Sequence, residues 1–292
     1  MQTVAPPLQA WTWPAMGTTW RLYHSGDVGA DVAAAVAELV YEDELRWSRF
    51  LPDSELSRLN RGAGGRVGVT TETLELLVAC RQWTAATSGV FQPLVGRALA
   101  SWGYSRSMLG GVPGVDRSPE PSPVKAMIEI DTGTATAWVP DGYELDLGGI
   151  AKSWSVVRAG RLAARLSDEL SLLIDGGGDL FAIRGDHVVD VGGPGCRIDL
   201  RAGEGAATSS TRKRRWQNGD GTEAHHLIDP VTGAPCPPAE ATVCSSDPVE
   251  ADVLATVLCL RPQMIDDLDH PCRVVTEDGE RSTAMWDDRC RR

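Results

Sequence analysis

Interleaved helical and strand-like stretches, without the regular alternation of a doubly wound sheet, predict a single α/β or α+β domain for this 292-residue chain. Three observations carry that expectation. Apolar residues recur near helical spacing in several stretches, as Val32, Val36, Leu39 and Val40 do. Short segments such as 18–24 alternate apolar and polar residues in the manner of strands. The composition, 42% hydrophobic and 23% charged, is that of a globular protein with ample core at this length.

In chain order, a strand over 18–24 follows a small turn at Met16-Gly17. A helix is expected from Ala30 to about Trp47, then a helical turn that starts at Ser54 and is ended by Gly62 to Gly65. A second long helix is expected over 71–88 with Thr71 as N-cap, and a short one over 94–102 after Gly89-Val-Phe-Gln-Pro93 breaks the pattern. Gly, Pro and Ser dominate 103–125, which reads as a surface loop. Strands are expected at 127–131, 134–139 and 143–147, a helix at 150–166, and strands at 171–175 and 180–184 around Gly176-Gly-Gly-Asp179. Two more, 187–191 and 197–201, should extend the same sheet. A loop-rich region over 203–238 leads to a strand at 241–245, a helix at 248–260 and a last strand at 273–276 before a polar tail. No internal repeat is visible, so residues 1–292 read as one domain with its core at about 16–260.

Charge and composition exclude some functions. A net charge of -12 argues against nucleic acid as a partner, because phosphate backbones want basic surface. A local basic cluster or a metal can still receive a phosphorylated small ligand. Residues 1–16 hold no Lys or Arg and are interrupted by Pro6, Pro7 and Pro14, unlike a secretory signal. No stretch approaches the roughly 20 apolar residues of a transmembrane helix, so no membrane insertion is expected. The chain reads as cytoplasmic. Its seven cysteines lack zinc or redox spacing and fit small buried hydrophobes in a reducing compartment.

A few stretches hold residue types that do chemistry. Glu144-Leu-Asp-Leu-Gly-Gly-Ile-Ala-Lys152 runs from a strand-like segment through paired glycines into a helix. Such a helix start can offer free N–H groups to an anion, with Asp146 at the seam and Lys152 in the first turn; a plain strand-to-helix turn is the simpler alternative. Asp252 and Thr256, four apart on a helix, project from one face as hard oxygen donors suited to magnesium, or as an ordinary acidic first turn. His225-His-Leu-Ile-Asp-Pro-Val-Thr-Gly233 supplies adjacent histidines, a general base or a metal ligand, of which only one should face a site on a strand. Its Asp229-Pro is also a turn signature. Ala207-Thr-Ser-Ser-Thr-Arg-Lys-Arg-Arg215 places hydroxyls before four cations, a phosphate site or a solvated charge run. Gly176-Gly-Gly-Asp179 is a tight turn where backbone can approach a ligand.

These pieces form an ordered set. It runs from Met16-Gly-Thr18 through Ser48-Arg-Phe50, Ser54-Glu-Leu-Ser-Arg-Leu-Asn60 and Gly89-Val-Phe91 to Asp146-Leu-Gly-Gly-Ile-Ala-Lys152. It continues with Gly177-Gly-Asp179, Ala207-Thr-Ser209, the 225–233 stretch and Ala251-Asp252 with Thr256. The set resembles the ApbE-like FAD:protein FMN transferase family. The resemblance implies a T-fold-like domain of mixed, largely antiparallel sheets packed with helices. It implies that a Thr or Ser hydroxyl of an acceptor flavoprotein attacks the FMN-side phosphorus of FAD with Mg2+ present, linking FMN by a phosphoester bond and releasing AMP. It further implies magnesium held by Asp252, Thr256 and the backbone carbonyl near Gly149. FAD contacts would come from Met16, Phe50, Val90, Phe91, Gln92, Asp146, Lys152 and Ile228, and the base would be His225 or His226. Two positions depart from the pattern: Gln92 stands where the family has Asp, and Ser153 replaces the Gly after the Lys. The same site with water as acceptor would make an FAD pyrophosphatase, and Gln92 motivates a third expectation, a flavin-binding protein without turnover.

Overall fold

The N-terminal alternation builds a hairpin in which Gln9–Ala15 (β1) pairs antiparallel with Thr18–His24 (β2). Met16 and Gly17 connect them with φ of 50° and 71°, the left-handed pair whose twist matches that of the flanking strands. The computed structural model describes residues 8–105, 123–192, 196–218 and 221–291. Leu172–Gly176 (β3), Asp179–Arg184 (β4), Gly205–Ser210 (β5), Ala239–Ser245 (β6), Cys272–Thr276 (β7) and Gly279–Ser282 (β8) complete the main sheet. Its spatial order is its chain order, and every neighbouring pair is antiparallel.

The longer helices enter at two points. Ala30–Trp47 (α1), Glu55–Arg61 (α2), Thr71–Ala86 (α3), Gly96–Ser101 (α4) and Ala151–Leu166 (α5) lie between β2 and β3. Pro248–Leu260 (α6) lies between β6 and β7, capped by the Asp247 carboxylate, which accepts from Val249 N. The period of two splits each strand between two cores. Leu172 and Ile174 pack with Val36 and Val40 of α1 and Val156 and Ala159 of α5, while Ala241 and Val243 pack with Leu254 and Leu258 of α6. On the opposite face Leu173, Ala182, Ala206 and Cys244 pack with Ile198, Leu200 and Trp286.

The structure corrects several sequence expectations. The segment 9–15 is a strand despite Pro14, because β1 is a sheet edge where a missing N–H is tolerated. The N-cap of α3 is Thr70, whose hydroxyl accepts from Thr73 N, and not Thr71. Residues 143–147 form no strand; a single bridge pairs Val95 with Glu144, and the Asn60 side chain holds both backbone groups of Leu145. The strands His187–Asp190 and Arg197–Leu200 do not extend the main sheet but form their own with Cys290–Arg291. Gly205–Ser210 was expected to be loop and is a strand inside the main sheet. Its small residues hide the signal, and the tight fit explains them: a Cβ on Gly205 would meet Pro248 Cβ at 2.5 Å. Of the expected loop over 103–125, residues 106–122 lie outside the described residues.

Candidate active site

A cavity of about 370 Å³ collects residues from every helical insertion and from the strand ends. Met16 reaches it from the hairpin turn, Phe50 from the segment after α1, and Val90, Phe91 and Gln92 from the segment after α3. Asp146, Gly149 and Lys152 line it at the entry to α5, Ile228 and His226 from the 225–233 stretch, and Asp252 and Thr256 from α6. His225 is the one expected site residue outside the lining.

Strand register separates the two histidines. Arg215–Gln217 pairs antiparallel with Glu223–His225, and Arg215 stands opposite His225. One step further, His226 N donates to Arg214 O at 3.3 Å. Alternation therefore sends Arg214 and His226 to the cavity side, and Arg215 and His225 to the other. A His225 ring nitrogen lies 2.9 Å from Cys236 O. His226 Nδ1 is buried without a hydrogen-bond partner among the described residues. Burial first, and then the Arg214 charge, push the His226 imidazole down to about 3, so it is neutral at pH 7.

The acidic side of the cavity is built around Asp252. Sequence reasoning placed this carboxylate on an open helix face, but it is only 4% exposed, and its Oδ2 has no hydrogen-bond partner among the described residues. Burial, followed by the neighbouring Asp179 carboxylate, pushes its pKa up to about 7. Lys152 Nζ lies 2.5 Å from Asp179 Oδ2, an ion pair that α5 and the start of β4 bring together. Thr256 Oγ1 is 3.0 Å from Ser209 Oγ, and a Cβ on Gly149 would come within 3.9 Å of the same Thr256 oxygen. The main chain at Gly149 and the hydroxyl of Thr256 are thus neighbours. Among the described residues no three His, Cys, Asp or Glu side chains gather to hold a metal. One unpartnered carboxylate oxygen and one hydroxyl beside the Gly149 main chain are instead a partial set of hard oxygen donors. Magnesium is commonly held this way, with waters and substrate phosphates completing its shell.

Several N–H groups at the expected anion site before α5 are already bonded within the protein. Gly148 N donates to Asp146 Oδ1 at 2.8 Å, and Ile150 and Ala151 N both donate to Leu147 O. Asp146 is in turn paired with Arg49, whose Nε lies 2.6 Å from Oδ2. The Arg49 guanidinium sits 4.6 Å from the Phe50 ring centre and 4.9 Å from that of Tyr104. Tyr104 stacks on Trp216 at 5.3 Å, which gives the cavity a rigid aromatic wall. Gln92 lines the cavity while its amide bonds Ala126 O and Leu94 N. Arg49, Tyr104 and Arg214 were not singled out from the sequence. Arg49 lies within Ser48-Arg-Phe50 and Arg214 within the cationic run, but Tyr104 carries no sequence signal at all.

Solved structures match this architecture closely. An ApbE protein from Thermotoga maritima superposes with a TM-score of 0.85 at 24% identity, covering 98% of this chain and 100% of that one. The apo flavinyl transferase ApbE from Pseudomonas stutzeri gives 0.75 at 21% identity, covering 99% and 98%. At such identities the likeness is one of fold. Membership follows from the sequence: the ApbE family profile matches residues 16–266, and the chain belongs to the ApbE family. It is a transferase. An FAD:protein FMN transferase of Vibrio cholerae is 28% identical over 266 residues, covering 84% of this chain and 79% of that protein. One of the same name from Treponema pallidum is 28% identical over 282 residues, covering 82% and 75%.

Proposed function

We propose that this chain is a magnesium-dependent FAD:protein FMN transferase that moves FMN from FAD to a Thr or Ser hydroxyl of an acceptor flavoprotein. The observation that carries the reading is the unpartnered Asp252 Oδ2 opening onto the same cavity as Thr256, Gly149 and neutral His226, in a chain of this family. The donor set fits magnesium, which when bound would neutralise pyrophosphate charge and polarise the phosphorus. Asp252 and Thr256 would hold it, with the main chain at Gly149.

This chain's residues supply the rest. His226 takes the proton of the acceptor hydroxyl on an imidazole nitrogen as the hydroxyl oxygen bonds to the FMN-side phosphorus. The bond from that phosphorus to the bridging oxygen breaks, and AMP leaves with the oxygen. The Phe50–Tyr104 wall and Phe91 offer rings for the flavin or adenine to lie against, and Met16, Val90, Gln92 and Ile228 complete the lining. Lys152, held by Asp179, and the Arg49–Asp146 pair keep the polar end of the cavity fixed. We take residues 1–292 as one transferase domain, and its seven free thiols favour a reducing compartment such as the cytoplasm.

Incubation with FAD, magnesium and a candidate acceptor domain tests the reading through acceptor mass and AMP release. One FMN gained per acceptor with one AMP released is the expected result. AMP without modified acceptor would make the protein an FAD pyrophosphatase. Bound FAD without AMP at any magnesium concentration would leave only a binding protein.

A further inference from the structure

Of the four cations over 212–215, the fold selects one. Arg212 and Arg215 are exposed and outside the cavity lining, and Lys213 lines it from an exposed position. Arg214 is half-buried in the lining. Its place follows from the register that sets it beside His226, one step beyond the Arg215–His225 pair. Its positive charge acts on the Tyr104 hydroxyl, which places it beside the aromatic wall.

Charge pairing makes Arg214 distinctive. The other deep cations already have carboxylate partners, Arg49 on Asp146 and Lys152 on Asp179. Among the described residues Arg214 is in no ion pair. Its guanidinium presents five donors in a fixed fork, none of them in a carboxylate pair. A half-buried, unpaired Arg is the group that a phosphate oxygen pair fits in bidentate fashion.

We infer that Arg214 is a phosphate-binding residue of this cavity, gripping the pyrophosphate of the FAD substrate from the strand side that also carries His226. The inference rests on the proposed function and names a contact beyond it. The same fork would offset the negative charge that develops on the AMP phosphate as its bond to the FMN-side phosphorus breaks. Its charge also disfavours a proton on the neighbouring base.

Titration calorimetry with FAD and with ADP, in magnesium, tests the assignment on the full chain. Arg214→Gln should weaken both ligands by about tenfold to a hundredfold, the usual worth of a charge-assisted contact. The double variant Arg212→Gln/Arg215→Gln removes twice the charge outside the cavity and should change affinity by less than about threefold at physiological salt, where exposed charges are screened. Should Arg214→Gln fail to fold, Arg214→Lys decides, with the charge kept, the fork lost and an intermediate weakening expected. Unchanged affinity in the Arg214 variants, or equal losses in the double variant, would overturn the inference while the transferase reading stands. A wild-type protein that binds neither FAD nor ADP would overturn both.

Discussion

Lys152 and Asp179 form a contact of 2.5 Å between the first turn of α5 and the first residue of β4, with side chains only 16% and 6% exposed. The pair lies beside the Asp252 carboxylate, so one ammonium serves two acids. Burial works against a charged Lys152, yet Asp179 and then Asp252 hold its pKa above the usual lysine value. Lys152→Ala leaves Asp179 without its cation. Removing one partner of a buried pair costs about 3 kcal/mol, and urea unfolding at pH 7 should show a loss of that size.

Asp252 should trade stability for function. Its folded pKa, about 7, lies above the ordinary carboxylate value of 3.8, so the folded state holds a proton that the unfolded chain has released. The stability from that proton is complete below about pH 4 and is lost as pH rises through 7. Asp252→Asn should therefore flatten the pH dependence of the metal-free urea midpoint between pH 4 and 7, with stability at pH 7 equal or higher. The same variant should lose magnesium-dependent turnover. Wild-type turnover in Asp252→Asn would remove this residue from the metal site.

Magnesium affinity should carry the same signature in reverse. The ion needs the ionised carboxylate, so binding at pH 6 should release close to one proton and weaken as pH falls below 7. Calorimetry in buffers of different ionisation heat measures that release, and a pH-independent affinity would contradict it.

The two histidines should separate cleanly. His226→Ala should lower kcat by ~10²–10⁴-fold, the usual worth of a positioned base, with FAD affinity little changed. His225→Ala loses the contact with Cys236 O and should affect stability more than turnover. Because burial and Arg214 keep His226 neutral to about pH 3, the acid limb of the rate profile above pH 5 should not report its titration.

Asn60 holds the segment that leads into Gly149. Its side chain donates to Leu145 O at 3.0 Å and accepts from Leu145 N at 2.8 Å, and Leu145 itself is fully buried. Asn60→Ala strands both backbone groups and should cost about 2–3 kcal/mol by chemical denaturation. It should also weaken magnesium binding, since the Gly149 main chain loses its tether.

Much of this protein can be read in one dimension. Periodicity places α1, α5 and α6 within a residue or two, because the spacing of apolar residues is a local property of the chain. The ordered motifs likewise point to the ApbE family, and all but one of the site residues they name line the cavity. What was hidden depended on neighbours far along the chain. The strand Gly205–Ser210 has no hydrophobic alternation because α6 and the small sheet leave room only for small side chains. Only strand register could decide between His225 and His226, or pick Arg214 out of four adjacent cations. Only packing could bury Asp252 and strip its Oδ2 of partners, which turns an ordinary helix-start acid into the group on which the proposed chemistry depends.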